Sequence, residues 1–175
     1  MGSSLVEPAQ HTDLLLRLLT ANLRDMVVWL RADGVRLFMS DGVAETLGWT
    51  RQEAIGMPPL GMVHPDDVQH IQEVLGRLFR DGGEAMATFR GNHKDGREVW
   101  LEALGRRVNE DAIIGQPSII YTARDITARL LAERALDESR RKLQAIADSL
   151  PALIVHVDAN EICVFANARS AQQSD

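Results

Sequence analysis

Apolar positions along the chain fall into two rhythms, one helical and one alternating. Leu15, Leu16, Leu19 and Leu23 share one face of an expected amphipathic helix over 11–23, with Thr12 placed to cap it. The runs MVVWLR and VRLFMS then flank Ala32-Asp33-Gly34. Asp-Gly between two apolar runs signals a β-hairpin, because the turn needs a residue at positive φ. Short helical pieces follow at 41–47 and from Thr50, where Thr50 and Glu53 have the spacing of a capping box. Pro58-Pro59 excludes regular helix from 57–60. A longer helix is expected over 65–80, with Pro65 at its first position, Asp66 and Asp67 at the positive end of its dipole, and Gly82-Gly83 beyond its end. Val68, Ile71, Leu75, Leu78 and Phe79 mark its buried face. Three strands come next, over 85–93, 97–108 and 118–124, the first two joined by Lys94-Asp95-Gly96. This order gives an α+β fold with an antiparallel sheet. Residues 125–150 then read as one helix, about twice the roughly 11–12 residues of an average one.

The segment MVVWLRADGVRLFMS, from Met26, aligns without gaps to LIVHVDANEICVFAN, from Leu153, at an offset of 127 residues. The same offset carries Leu16, Leu19 and Leu23 onto Leu143, Ile146 and Leu150. A helix followed by a hairpin is thus written twice. The expected organisation is an N-terminal amphipathic helix in 1–24, a whole domain over 25–125, a connector helix with a coiled-coil seam over 126–150, and the start of a second, truncated domain over 151–175. Met1-Gly2-Ser3-Ser4 has the look of an expression-tag remnant.

Composition narrows the function classes. A net charge of −6 and a pI near 5.4 argue against a nucleic-acid surface, which needs clustered Lys and Arg. The longest apolar run, 26–30, is far short of a membrane span. Arg17 splits the N-terminal leucines, and Glu7 and Asp13 precede them, which is not a signal-peptide pattern. A single cysteine, Cys163, excludes an internal disulfide and any multi-cysteine metal site. A cytoplasmic location is expected.

Phe89-Arg90, Lys94-Asp95-Gly96, Trp100-Leu101-Glu102 and Asp125-Ile126-Thr127 occur in that order, with Val63-His64-Pro65-Asp66-Asp67 upstream. Together, and in register with the repeat, these resemble the PAS family of sensor domains with its C-terminal, PAC-type motif, from near residue 12 to 130 and again from Leu143. The resemblance implies a five-stranded antiparallel sheet with short helices on one face, flanked by N-terminal and C-terminal helices. It implies a non-catalytic sensory region of a bacterial signalling protein, such as a sensor histidine kinase or a diguanylate cyclase, usually a homodimer. The kinase or cyclase would lie outside this chain. Many members carry Asn at the end of the second strand, where this chain has Ser40; the second unit keeps Asn167 and replaces Asp-Gly with Asn160-Glu161.

Catalytic chemistry finds no footing. The five histidines (His11, His64, His70, His93, His156) form no H-E-x-x-H, and no metal site is expected. There is no phosphate-binding Gly-rich loop and no nucleophile elbow. Some PAS domains hold haem through a helical histidine, which makes His64 or His70 a candidate; light-sensing flavin members need a cysteine that 55–64 lacks. A binding module remains, with no resident cofactor as the first expectation and haem or flavin as the alternative. Strand alternation places Ala87 and Phe89 on one face, and Val99, Leu101 and Ala103 on one face of the next strand; Ile55, Met62 and Ile71 close the helical side of a candidate ligand pocket. The same residues serve equally as the filled core of a ligand-free dimerisation module.

Trp100, Glu102 and Leu104 fall on the opposite sheet face and call for an apolar cover, for which the N-terminal helix is the candidate. Trp100, Glu102, Asp125, Ile126 and Thr127 are the expected signal relay, with Asp125 or Thr127 capping the connector. Ala132, Leu136, Ser139, Leu143, Ile146 and Leu150 form an a/d-like seam. Leu136, Leu143, Ile146 and Leu150, together with Leu15 and Leu19, are the expected dimer interface.

Overall fold

The computed structural model describes residues 25–108, 115–150, 155–157 and 162–166. The helix expected over 11–23, with Leu15 and Leu19, lies outside them. The chain divides into two units, Met1–Thr127 and Ala128–Asp175.

In the first unit, β1 (Met26–Arg31) and β2 (Arg36–Met39) are followed by α1 (Gly42–Leu47) and α2 (Arg51–Gly56). A 3-10 turn (Pro65–Asp67) leads into α3 (Val68–Asp81), then β3 (Glu84–Asn92), β4 (Glu98–Val108) and β5 (Ser118–Asp125). The five strands form one antiparallel sheet in the order β2-β1-β5-β4-β3. This is the α+β architecture expected from the pattern.

Both hairpins solve the turn in the same way. Gly34 (φ 86°) and Gly96 (φ 93°) take the left-handed position and donate back to the carbonyls of Arg31 and His93. The preceding Asp33 and Asp95 accept from the amides of Val35 and Arg97 through their side chains. This is a type I turn closed by a left-handed glycine, the usual three-residue hairpin loop. The capping box at α2 forms as its spacing predicts, with Thr50 Oγ1 accepting from Glu53 N and the Glu53 carboxylate from Thr50 N.

The helix expected from Pro65 starts as 3-10 and becomes α-helical only at Val68. His64 Nδ1 accepts from Asp66 N, capping that turn. Val43 and Leu47 of α1, Ala54 of α2 and Ile71 of α3 join Val28, Phe89 and Leu101 of the sheet in one buried cluster. Inward residues of β4 alternate with Trp100, Glu102 and Leu104 on the outer face, where Leu104 is 52% exposed beside its cross-strand neighbour Met86. No described residue covers Leu104.

In the second unit, α4 (Thr127–Ser149, beginning at the last residue of the first unit) precedes a two-stranded sheet of β6 (Val155–Val157) and β7 (Cys163–Ala166). Asp125 stays in β5, so the helix begins two residues later than the sequence pattern placed it. Leu136, Leu143, Ile146 and Leu150 are all exposed in the single chain. Glu138 and Lys142 pair at 2.6 Å one turn apart.

The repeat extends to strand register. Val28↔Met39, Trp29↔Phe38 and Leu30↔Arg36 in the first hairpin correspond, at the same offset, to Val155↔Ala166, His156↔Phe165 and Val157↔Cys163 in the second. Even the register shift recurs, at Trp29/Leu30 and at His156/Val157. No helix of the described residues is long and apolar enough to cross a membrane.

Candidate functional site

Between α3 and the inner sheet face lies a cavity of about 380 Å³. Small side chains create it. Ala85, Ala87, Ala103 and Gly105 line it on β3 and β4, where larger residues would have filled the space under Leu75, Leu78 and Phe79 of α3. At the other end of β4 the packing closes: a Cβ on Gly91 would stand 2.8 Å from Leu101 Cδ1 and 3.1 Å from Leu47 Cδ2.

That gradient sorts the residues singled out from sequence. Met62, Ile71, Ala87, Phe89, Leu101 and Ala103 are brought together in the cavity wall. Ile55 and Val99 are not. Val99 is fully buried beyond Leu101, at the tightly packed end, and Ile55 packs half-buried against the same cluster. Leu60 also lines the wall and holds φ 58°, a left-handed conformation that costs a non-glycine residue about 1–3 kcal/mol.

Polar groups in the wall escaped the sequence reading, Arg36 and Tyr121 among them. Arg36 is only 7% exposed, and Tyr121 faces the same cavity from β5. Strict alternation would put Arg36 with Phe38 on the outer face. The register shift in the β1–β2 pair skips Leu37, so Arg36 pairs with inward-facing Leu30 and joins the face of Met39. Its Nη1 donates to the carbonyls of Ala54, Met57 and Pro58, and its Nη2 to that of Pro58. Burial lowers the pKa of Arg36 and raises that of Tyr121, and the two groups lie within electrostatic reach of each other. At the mouth, Arg31 and Asp33 pair with each other, which holds the Asp33 carboxyl at about 2.

Among the described residues no histidine lines the cavity. His64 caps the 3-10 turn with its Nε2 3.3 Å from Glu98 Oε1, and His70 is exposed on α3. The wall therefore does not fit a histidine-held haem. Among the described residues no cluster of His, Cys, Asp or Glu is arranged to hold a metal. Ser40 is buried and bridges strands, its hydroxyl accepting from Val27 N, so it braces the hairpin outside the cavity wall.

A second constellation joins the cavity helix to the end of the sheet. Asp67, just ahead of α3, accepts from Arg90 N at 2.7 Å and from Arg90 Nε and Nη2 at 3.0 and 2.7 Å. These bonds hold the Asp67 carboxyl at about 2. The Arg90 guanidinium sits 5.8 Å from the ring centre of Trp100, its cross-strand partner. Trp100 N donates to Thr127 Oγ1, and Trp100 O accepts from Ile126 N. Asp125 accepts from Thr127 N, which makes the aspartate the cap and turns the threonine hydroxyl toward the sheet. Glu102 lies across from Arg124, which itself pairs with Asp25. The expected relay residues thus meet at one junction, and Asp67 and Arg90 extend it to α3.

The architecture is that of a small α+β domain with helices packed on one face of a five-stranded antiparallel sheet, and comparison with known proteins agrees. The family model described as PAS fold matches residues 36–116. The crystal structure of a PAS domain from Colwellia psychrerythraea is 26% identical with a TM-score of 0.54, covering 66% of this chain and 99% of that one. A sensory box histidine kinase/response regulator from Burkholderia thailandensis superposes with a TM-score of 0.56 at 20% identity, over 74% of this chain and 98% of that one. An uncharacterized protein of Sinorhizobium fredii is 30% identical over 112 residues, 63% of this chain but only 13% of that protein. The chain therefore spans a small fraction of that relative's length. Residues 36–116 match the PAS fold family, and the domain around them shares the fold of PAS domains found in signalling proteins.

Proposed function

We propose that the first unit senses a small apolar molecule in the α3–sheet cavity and passes its occupancy through the Trp100–Thr127 junction into α4. The observation that carries this reading is the cavity itself. Its volume falls in the range of small-molecule sites, roughly 300–1,000 Å³, and its wall is mostly apolar. Ile71, Leu75 and Leu78 of α3 touch the space, and the same helix is tied through Asp67 and Arg90 to Trp100. A ligand that shifts α3 therefore biases the bonds that start α4.

In this reading α4 is a connector that pairs with its copy in a homodimer along Leu136, Leu143, Ile146 and Leu150, with Leu15 and Leu19 contributing from the N-terminal segment. The recurring hairpin register supports a second PAS unit beginning near residue 151. The protein would be cytoplasmic and the effector, outside this chain, a histidine kinase or a diguanylate cyclase; the name of the Burkholderia protein favours the kinase. The chain itself carries sensing, not catalysis.

The test is an amide NMR titration of the purified chain with 1-octanol, a neutral apolar probe. Shifts are expected at Ile71, Leu78, Phe89 and Ala103 and at Ile126–Thr127. Absence of any cavity shift leaves the filled-core dimerisation module as the better account, and a visible absorption band on the purified protein favours a cofactor-bearing sensor.

A further inference from the structure

The geometry points to a small apolar carboxylate as the cavity's ligand, its head group on Arg36 and Tyr121 and its body among Leu78, Phe89 and Leu101. This rests on the cavity being a ligand site. Arg36 is the reason for choosing the chemistry. β2 buries this arginine at 7% exposure and leaves its neighbour Val35 44% exposed, the reverse of what hydrophobicity favours.

The fold does not require an arginine there. The second hairpin repeats the same register and the same shift with Cys163 at the matching position. A buried guanidinium without a counter-charge is costly. Among the described residues no carboxylate pairs with Arg36, since Asp33 at the mouth is engaged by Arg31. The carbonyls of Ala54, Met57 and Pro58 at the end of α2 offset part of the charge. They are neutral dipoles, they engage only Nη1 and Nη2, and Nε makes no hydrogen bond to a described residue.

An incoming carboxylate supplies the missing negative charge and accepts from Nε–H and the remaining Nη2–H in a charge-assisted pair. Tyr121, which lines the same wall from β5, has a hydroxyl to donate. A single buried cation and an apolar wall match one negative charge on an apolar body. They do not match a phosphate dianion, which calls for several donors and cations.

The experiment compares octanoate with 1-octanol, which have the same chain and differ in the head group, by NMR titration of the whole chain at neutral pH. Octanoate is expected to bind at least about tenfold more tightly, a difference of about 1.4 kcal/mol. That preference should disappear in Arg36→Met and shrink in Tyr121→Phe. In the wild type it should also fade as pH drops through the carboxylate's own pKa, a readout that needs no variant to fold. Equal binding of the two probes overturns the carboxylate assignment and leaves the cavity reading intact. A preference that survives in a folded Arg36→Met protein overturns the placement of the head group. Binding of neither probe overturns both.

Discussion

The amide of Trp100 donates to the Thr127 hydroxyl at 2.9 Å, while the Trp100 carbonyl accepts from Ile126 N at 2.8 Å. One residue of the β3–β4 hairpin thus holds both residues at which the sheet becomes helix. Replacing Thr127 by Val keeps the shape and removes the acceptor from a part-buried N–H. The expected cost is about 1–2 kcal/mol, or roughly 5–10 °C in the thermal midpoint of a domain this size. Thr127→Ser should recover most of it. A midpoint unchanged in Thr127→Val would show that the junction contributes nothing.

Acid should weaken the domain over a defined window. Asp67 titrates at about 2 when folded, below the roughly 3.9 of an unfolded aspartate, because Arg90 bonds its ionised form. A depressed carboxyl pKa stabilises the fold above the unfolded value, and that contribution disappears as pH falls through the folded one. Urea midpoints should therefore decline between about pH 4 and pH 2. Asp67→Asn should be less stable at pH 7 and decline less steeply on acidification. It will not be flat, since Asp33 and Glu53 also titrate at about 2. Parallel curves for the two proteins would contradict the pairing.

The packing gradient along β4 predicts opposite responses to added volume. Gly91→Ala drives a methyl toward Leu101 and Leu47, and should cost about 1–3 kcal/mol. Ala103→Leu extends into the cavity and should change stability by less than about 1 kcal/mol while blocking the octanol shifts. Denaturant unfolding of both variants checks this. Equal destabilisation would mean that the space beneath Leu78 is not free.

If α4 pairs along its exposed leucines, Leu136→Glu with Leu143→Glu should turn a dimer into a monomer in sedimentation equilibrium without lowering the midpoint of the first unit, since neither side chain is buried. A wild-type chain that stays monomeric at high concentration rules out the coiled-coil connector.

Turn chemistry and helix caps made most of the first unit legible in its sequence. Asp33-Gly34, Asp95-Gly96, Thr50 with Glu53, and Gly82 each act locally, and each element they bound appears where expected. The cavity was legible only in part. Alternation finds which residues face inward, but it cannot tell the closed end at Val99 from the open end at Ala103, because that depends on what α3 brings across. Arg36 was missed for a different reason: one skipped residue, Leu37, turns the arginine inward, and binary pattern carries no trace of a bulge. The repeat held more than its letters showed, since it preserves the bulge as well.

The central claim is that occupancy of the cavity is felt at the start of α4. Amide hydrogen exchange at Ile126 and Thr127, with and without saturating 1-octanol, tests it most directly. Coupling of about 1 kcal/mol or more predicts a change in protection of roughly fivefold or greater at those two amides, accompanied by changes along α3. It should vanish when Ala103→Leu fills the cavity. Protection that rises along α3 while Ile126 and Thr127 stay unchanged would contradict the account.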